Sequence, residues 1–243
     1  MIKVQGITKK FKDFMAVDNV SFQVNEGDVL GLLGENGAGK TTILRMLATM
    51  LRPTSGTAEI NGYDLLKQPD KVRGETGILF GGEVGVYDRL TARENIRYFA
   101  ELNNMKKEKV DKRIDEISVM LGMSEYIDKR VGKFSRGMKQ KVSIARSIVH
   151  NPNIMLFDEP TSGLDVTSSR IIHNFIRSCR DEGKIIIFSS HTMSEVEELC
   201  DRILIIHKGK VAAMGTTAEL KSHFNNENLE DVFMELVGDK NEL

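Results

Sequence analysis

The run Gly34-Glu35-Asn36-Gly37-Ala38-Gly39-Lys40-Thr41-Thr42 has the G-x-x-x-x-G-K-T spacing of a phosphate-binding loop. Its glycines let successive backbone N–H groups curl around phosphate oxygens, and a helix start behind the loop adds positive potential. Lys40 then reaches the β- and γ-phosphates, and the Thr41 hydroxyl ligates Mg²⁺. The bland alternative is a glycine-rich turn with a surface lysine, and the flanks argue against it. Val29-Leu30-Gly31-Leu32-Leu33 is an apolar run of buried-strand type, and residues 42–48 read as a helix. Strand, glycine loop and helix are the setting such a loop requires.

A second chemical pair is Asp158-Glu159, which follows the apolar run Ile154-Met155-Leu156-Phe157. Both carboxylates therefore emerge at the C-terminal end of a buried strand, where α/β sheets place their ligands. Asp158 suits the Mg²⁺ shell, and Glu159 suits a water attacking the γ-phosphate. The competing reading is an acid pair at a helix start, stabilised by the dipole. Ser135, in Phe134-Ser135-Arg136-Gly137-Met138-Lys139-Gln140, stands at the N-cap of a helix with Val142, Ala145, Ile148 and Val149 on one face. Gly137 permits close backbone approach. As pattern alone this is either a second anion site or only a cap.

The elements that must position these residues form an α/β rhythm interrupted by helices. Residues 2–7 and 16–24 read as an antiparallel pair, with Val20, Phe22 and Val24 alternating with polar residues. Phe11 and Phe14 fall in a Lys-rich loop between them, either to stack on a nucleotide base or to pack locally. Strands are expected at 57–60 and 78–80. Residues 91–149 read as helical: Thr91 and Glu94 form a capping box, Ile96, Phe99, Ala100 and Asn103 share a face, and Val110, Ile114, Ile117 and Leu121 line the next helix. A helix over 167–181, a strand at 185–188 and a helix over 193–200 with a Thr192/Glu195 capping box follow. A hairpin turning at Lys208-Gly209 comes next. The tail carries Leu229, Val232, Phe233, Leu236 and Val237 at helical spacing, for core packing or a dimer contact.

Composition narrows the classes. The chain has 243 residues, 40% hydrophobic and 28% charged, with a formal net charge of −1. That balance leaves no footprint for nucleic acid or an anionic membrane. Cys179 and Cys200 fall on apolar helical positions and read as buried, reduced thiols. No apolar run approaches the ~20 residues that span a bilayer. Met1-Ile2-Lys3-Val4 opens in a strand-like pattern rather than a signal peptide, so the expected location is cytosolic.

Together these residues resemble the nucleotide-binding subunit of ATP-binding cassette (ABC) transporters over nearly the whole chain. The motifs stand in the family's order: the loop at 34–42, the signature-like Phe134 to Met138, the strand and acid pair Ile154 to Glu159, a D-loop at Ser162-Gly163-Leu164-Asp165, and a switch histidine, His191. The resemblance implies a P-loop NTPase core of ABC type in one domain, with an antiparallel β subdomain and an inserted helical subdomain. The core and β subdomain take residues 1–83 and 150–243; the helical subdomain takes 84–149. It implies that Phe11 stacks on adenine and that residues 34–42 bind ATP. Thr41 and Asp158 hold Mg²⁺, while Lys40, Glu159 and His191 act in hydrolysis. Ser135 and Gly137 contact the phosphate of a second copy, in a head-to-tail homodimer that sandwiches ATP.

The family's signature reads Leu-Ser-Gly-Gly-Gln; Arg136 and Met138 depart from it in the manner of the bacterial exporter branch. Its Q-loop glutamine position falls at Gly82, beside Glu83, and glycine offers the metal no side chain. The stretch from Gly81 to Thr91 is most similar to ATPase subunits of sodium exporters. The implied partner is an integral membrane permease, with this chain peripheral on the inner face of the cell membrane. The alternative is a soluble, non-transport ABC ATPase; those carry paired cassettes or a long coiled-coil insertion, and neither is present.

Overall fold

The computed structural model describes residues 1–80 and 85–238. A six-stranded sheet forms its centre, in the order β10 (Lys210–Gly215), β9 (Arg202–His207), β3 (Val29–Leu33), β8 (Ile185–Ser190), β7 (Ile154–Asp158), β6 (Thr76–Leu79). From β9 to β6 the neighbours are parallel, and β10 closes the edge as an antiparallel hairpin. Every residue of β3, β7 and β8 is buried. That is why these strands read as unbroken apolar runs: a parallel sheet is covered on both faces.

Side-chain alternation then decides which face each residue serves. Leu30 and Leu32 of β3, Leu156 of β7 and Ile187 of β8 point into one apolar cluster. That cluster holds Ile43, Leu44 and Leu47 of α1 (Lys40–Leu47). It also contains Val4, Val20, Phe22 and Ile60 of a second, four-stranded antiparallel sheet. The order in that sheet is β2 (Phe14–Val24), β1 (Ile2–Phe11), β4 (Ser55–Ile60), β5 (Tyr63–Asp64). Val29, Leu33, Phe157 and Phe188 face the opposite way, into a cluster built with helices.

Those helices are α3 (Ala92–Leu102), α4 (Lys107–Met120), α5 (Arg136–Ile148), α6 (Val166–Asp181), α7 (Met193–Leu199) and α9 (Leu229–Val237), with Leu220 of α8 (Thr217–His223) added. The chain enters α3–α5 between β6 and β7, and α3 starts with the expected capping box of Thr91 and Glu94. Two short helices go beyond the sequence pattern, α2 (Pro69–Glu75) and α8 (Thr217–His223). Each is seven residues long and buries a single side chain, Val72 or Leu220, so neither presents an apolar stripe. The apolar face of α9 is spent inside the chain: Leu229, Val232, Phe233 and Val237 are all buried.

Several expectations change. Phe11 and Phe14 lie not in a loop but at the ends of β1 and β2, where they pair across the strands. Asn103 is the exposed C-cap of α3, and its amide donates to the Phe99 carbonyl (2.8 Å) rather than lining the buried face. Thr192 is the N-cap of α7 but its side chain caps nothing, and Glu195 is occupied elsewhere. Both cysteines are free; burial pushes the Cys179 thiol up to about 12.

Candidate active site

The loop that follows β3 is held from outside by backbone hydrogen bonds. The Gly209 N–H, at the β9–β10 turn, donates to the Ala38 carbonyl (3.0 Å), and the Asp18 N–H donates to the Gly209 carbonyl (2.8 Å). Gly39 sits at φ 111° as the N-cap of α1, and a Cβ there would meet the Ala16 carbonyl oxygen at 2.6 Å. Only glycine fits that combination of left-handed backbone and close approach. The result is a fixed, concave loop of backbone opening onto the start of α1, which suits phosphate oxygens.

Lys40 is buried, and its ammonium donates to the carbonyls of Gly34 (2.5 Å) and Glu35 (3.0 Å). Burial lowers its pKa, while the carboxylates of Glu159, Asp158 and Glu35 work against that shift. A buried cation needs such partners, and here they all stand at one sheet edge.

Asp158 ends β7, two strands away from β3, with β8 between. Its buried carboxylate accepts from the Thr41 hydroxyl (2.9 and 3.1 Å to the two oxygens) and from Ser189 Oγ of β8 (2.6 Å). The start of α1 and the end of β8 thus meet the carboxylate that ends β7. Thr41 and Asp158 are hard oxygen donors side by side, the chemistry Mg²⁺ prefers, so the residues present fit that ion.

Glu159 makes the turn out of β7 with φ 48°, a left-handed backbone costing on the order of 1 kcal/mol in a non-glycine residue. Its N–H donates to the carbonyl (3.2 Å) and Oγ (3.0 Å) of Ser189. Its side chain, 28% exposed, meets His191 Nδ1 at 3.3 Å; His191 is 57% exposed. Asp158 is thus enclosed for holding, and Glu159 is open for exchange with solvent. A cavity of about 650 Å³ opens beside them, lined by Ser162, Leu164, His173 and Glu195 as well.

The signature segment is built but stands apart. Ser135 is the N-cap of α5 and accepts from the Met138 N–H (3.2 Å). A Cβ on Gly137 would meet Ser168 Oγ at 2.7 Å, so α5 starts hard against the start of α6. The buried Gln140 amide donates to the Pro160 carbonyl (2.8 Å). Among the described residues no hydrogen bond joins 135–137 to 34–42. Phe11 is 44% exposed, with Lys9 Nζ 5.1 Å from its ring centroid. Gly82 and Glu83 lie outside the described residues.

Sequence reasoning misses Ser189, Thr161 and Glu195. The first leaves a legible trace, a polar Ser-Ser pair ending an apolar strand; Glu195 reads as half of a cap, and Thr161 carries no signal of its own.

A glycine loop opening onto a helix, a hydroxyl–carboxylate pair and an exposed acid–histidine pair at the C-terminal edge of a parallel sheet define an ATP-binding P-loop domain. Comparison with known proteins carries this further. The ABC transporter family matches residues 17–162. The "ABC transporter ATP-binding protein NatA" of Bacillus subtilis (strain 168) is 47% identical over 96% of this chain and 97% of its own. The "Bacitracin transport ATP-binding protein BcrA" of Bacillus licheniformis is 41% identical over 87% of this chain and 68% of its own. A solved dimeric ATP-binding cassette, in a post-hydrolysis state bound to ADP and Pi, superposes with a TM-score of 0.80 at 26% identity, covering 89% of this chain and 98% of that one. The chain belongs to the ABC transporter ATP-binding family and is an ATPase subunit of that kind.

Proposed function

We propose that this chain hydrolyses Mg²⁺-ATP to drive an exporter, with sodium ions the favoured solute and a separate membrane permease the partner. The observation that carries the hydrolytic part is the Thr41–Asp158 contact, with Lys40 on one side and the Glu159–His191 pair on the other. A bound Mg²⁺ would supply charge neutralisation at the phosphate oxygens. Thr41 and Asp158 would hold it. Lys40 exchanges the carbonyls of Gly34 and Glu35 for the β/γ-phosphates, an exchange of neutral for charged acceptors. Glu159 takes a proton from the attacking water, and His191, already against Glu159, holds that carboxylate and faces the γ-phosphate. Phe11 offers an exposed ring to adenine.

Ser135 and Gly137 serve the site of a second copy. In support, the Ser135 hydroxyl is turned to its own helix start, and the similar solved cassette is a dimer. We read residues 84–149 as the helical subdomain that carries this segment, with 1–83 and 150–243 as the nucleotide core. Sodium is favoured because the sequence from Gly81 to Thr91 resembles ATPase subunits of sodium exporters. Among the described residues no helix is long and apolar enough to cross a membrane, so the solute path is assigned to the permease, with this chain on its cytoplasmic side.

The test is Mg²⁺-dependent ATP turnover of the purified chain beside its Glu159→Gln variant, then sodium efflux from cells expressing the chain with its permease. Turnover undiminished in Glu159→Gln removes Glu159 as the base. ATP-dependent efflux without sodium movement removes the solute assignment and leaves the enzyme.

A further inference from the structure

The carboxylate of Glu195 is buried at 7% exposure, and both its oxygens have partners. Its Oε1 accepts from Thr161 Oγ1 (2.5 Å) and stands 2.9 Å from His173 Nε2; its Oε2 accepts from Ser190 Oγ (2.7 Å). Ser190 Oγ in turn accepts from the Thr192 N–H (3.0 Å). Burial raises the pKa of this carboxyl, but the hydrogen bonds from His173, Thr161 and Ser190 outweigh it and leave it below the usual value.

The partners come from separate segments. Thr161 lies two residues after Glu159, in the loop out of β7. Ser190, which ends β8, and Thr192, in the turn beyond it, flank His191. His173 stands on α6, and its other ring nitrogen is 3.5 Å from Glu198. Placing a charge inside the chain is costly unless several donors meet it, and here the donors are the two loops that carry the reacting pair.

We propose that Glu195 is a positioning residue for hydrolysis: by tying Thr161 to Ser190 it sets the spacing between Glu159 and His191. The inference rests on the roles assigned above to those two residues. The Glu159–His191 contact is 3.3 Å between partly exposed side chains, too loose to hold itself. The buried bridge beneath it supplies the rigidity. The network contains no residue of the loop 34–42, so its loss should be felt in the chemical step and not in nucleotide binding. The same bridge carries the start of the D-loop, since Ser162 follows Thr161 directly.

The experiment uses the full chain with Mg²⁺-ATP. Glu195→Ala removes the common acceptor. Thr161→Val removes one donor at constant volume and serves if Glu195→Ala does not fold. Each should lower kcat about tenfold, the scale on which losing a partner that orients a reacting group is felt, with KM changed less than about twofold. Thr161→Ser should restore kcat. Combined with His191→Ala, Thr161→Val should cost clearly less than it does alone, because both act on one spacing.

A Thr161→Val kcat equal to that of the parent overturns the proposal, as does a loss fully additive with His191→Ala. A Thr161→Val variant whose KM rises in step with the fall in kcat also overturns it, because that marks general loosening. Failure of the underlying reading looks different: Glu159→Gln itself would then keep turning over.

Discussion

The two places where this chain should meet phosphate are built on different plans. At the C-terminal ends of the strands, α1 and β8 deliver Thr41 and Ser189 to the Asp158 carboxylate that ends β7, and Lys40 and Glu159 stand beside it. At the start of α5, Ser135 caps its own helix, and its neighbours tie it to the loop after β7 through Gln140 and to α6 through Gly137. One region is complete within the chain. The other is braced from behind, and among the described residues no hydrogen bond joins it to the loop 34–42. Under the function proposed above this region serves a second copy, and its brace runs through the same 160–165 loop that Glu195 holds from the other side.

The sharpest way to break the comparison is at the sheet edge. Glu159→Gln should cut ATP turnover by about 10³-fold while nucleotide binding stays, because the amide cannot accept the water's proton. Lys40→Ala should abolish turnover by a different route. It removes the cation facing the β/γ-phosphates, and titration with a fluorescent ATP analogue should show binding weakened by at least about tenfold. If Lys40→Ala binds like the parent, the loop is not the phosphate site.

Next comes the shared carboxylate. Asp158→Asn should raise the Mg²⁺ concentration needed for half-maximal turnover by roughly 10–100-fold, since a neutral amide replaces a charged oxygen ligand. Turnover with an unchanged Mg²⁺ requirement would detach Asp158 from the metal.

Ser135→Ala tests the other region. Loss of the cap costs about 1 kcal/mol of stability. Nucleotide binding by the single chain should not change, because the loop 34–42 lies elsewhere. In the Glu159→Gln background, ATP-driven dimerisation measured by sedimentation should fail. Equal dimerisation with and without Ser135 would return this segment to a plain helix cap. The smallest effect is at Phe11: Phe11→Ala should weaken ATP binding about fivefold, corresponding to about 1 kcal/mol of lost stacking. No change there leaves Phe11 as a strand-end residue only.

Much of the sheet edge is legible in the sequence alone. A glycine loop with Lys and Thr behind an apolar run is a local arrangement, and the rule that ligands gather at the C-terminal ends of parallel strands places Asp158 and Glu159 beside it. The antiparallel pairing of β1 and β2 is also visible, from the alternation of Val20, Phe22 and Val24 with polar residues. Less is visible where one residue type serves two purposes. The spacing of Thr192 and Glu195 matches a capping box, yet Glu195 turns inward to Thr161, His173 and Ser190, thirty-four, twenty-two and five residues away. The same spacing at Thr91 and Glu94 does form the box. Only the neighbours differ.

What the sequence determined by itself was therefore the local frames. These are the phosphate loop, the acid pair at a strand end, Ser135 as a helix start, and the apolar runs that had to be buried strands. Each depends on residues close along the chain, where backbone geometry and side-chain period leave few choices. Tertiary structure alone decided which strand stands between β3 and β7, and hence that Ser189 closes on Asp158. It decided that the β9–β10 turn clasps the loop from outside, and that Glu195 joins the loops bearing Glu159 and His191. Those contacts join residues far apart in sequence, and hydrogen bonds of that kind leave no period to read. They exist because a buried donor or acceptor must find a partner wherever packing has brought one.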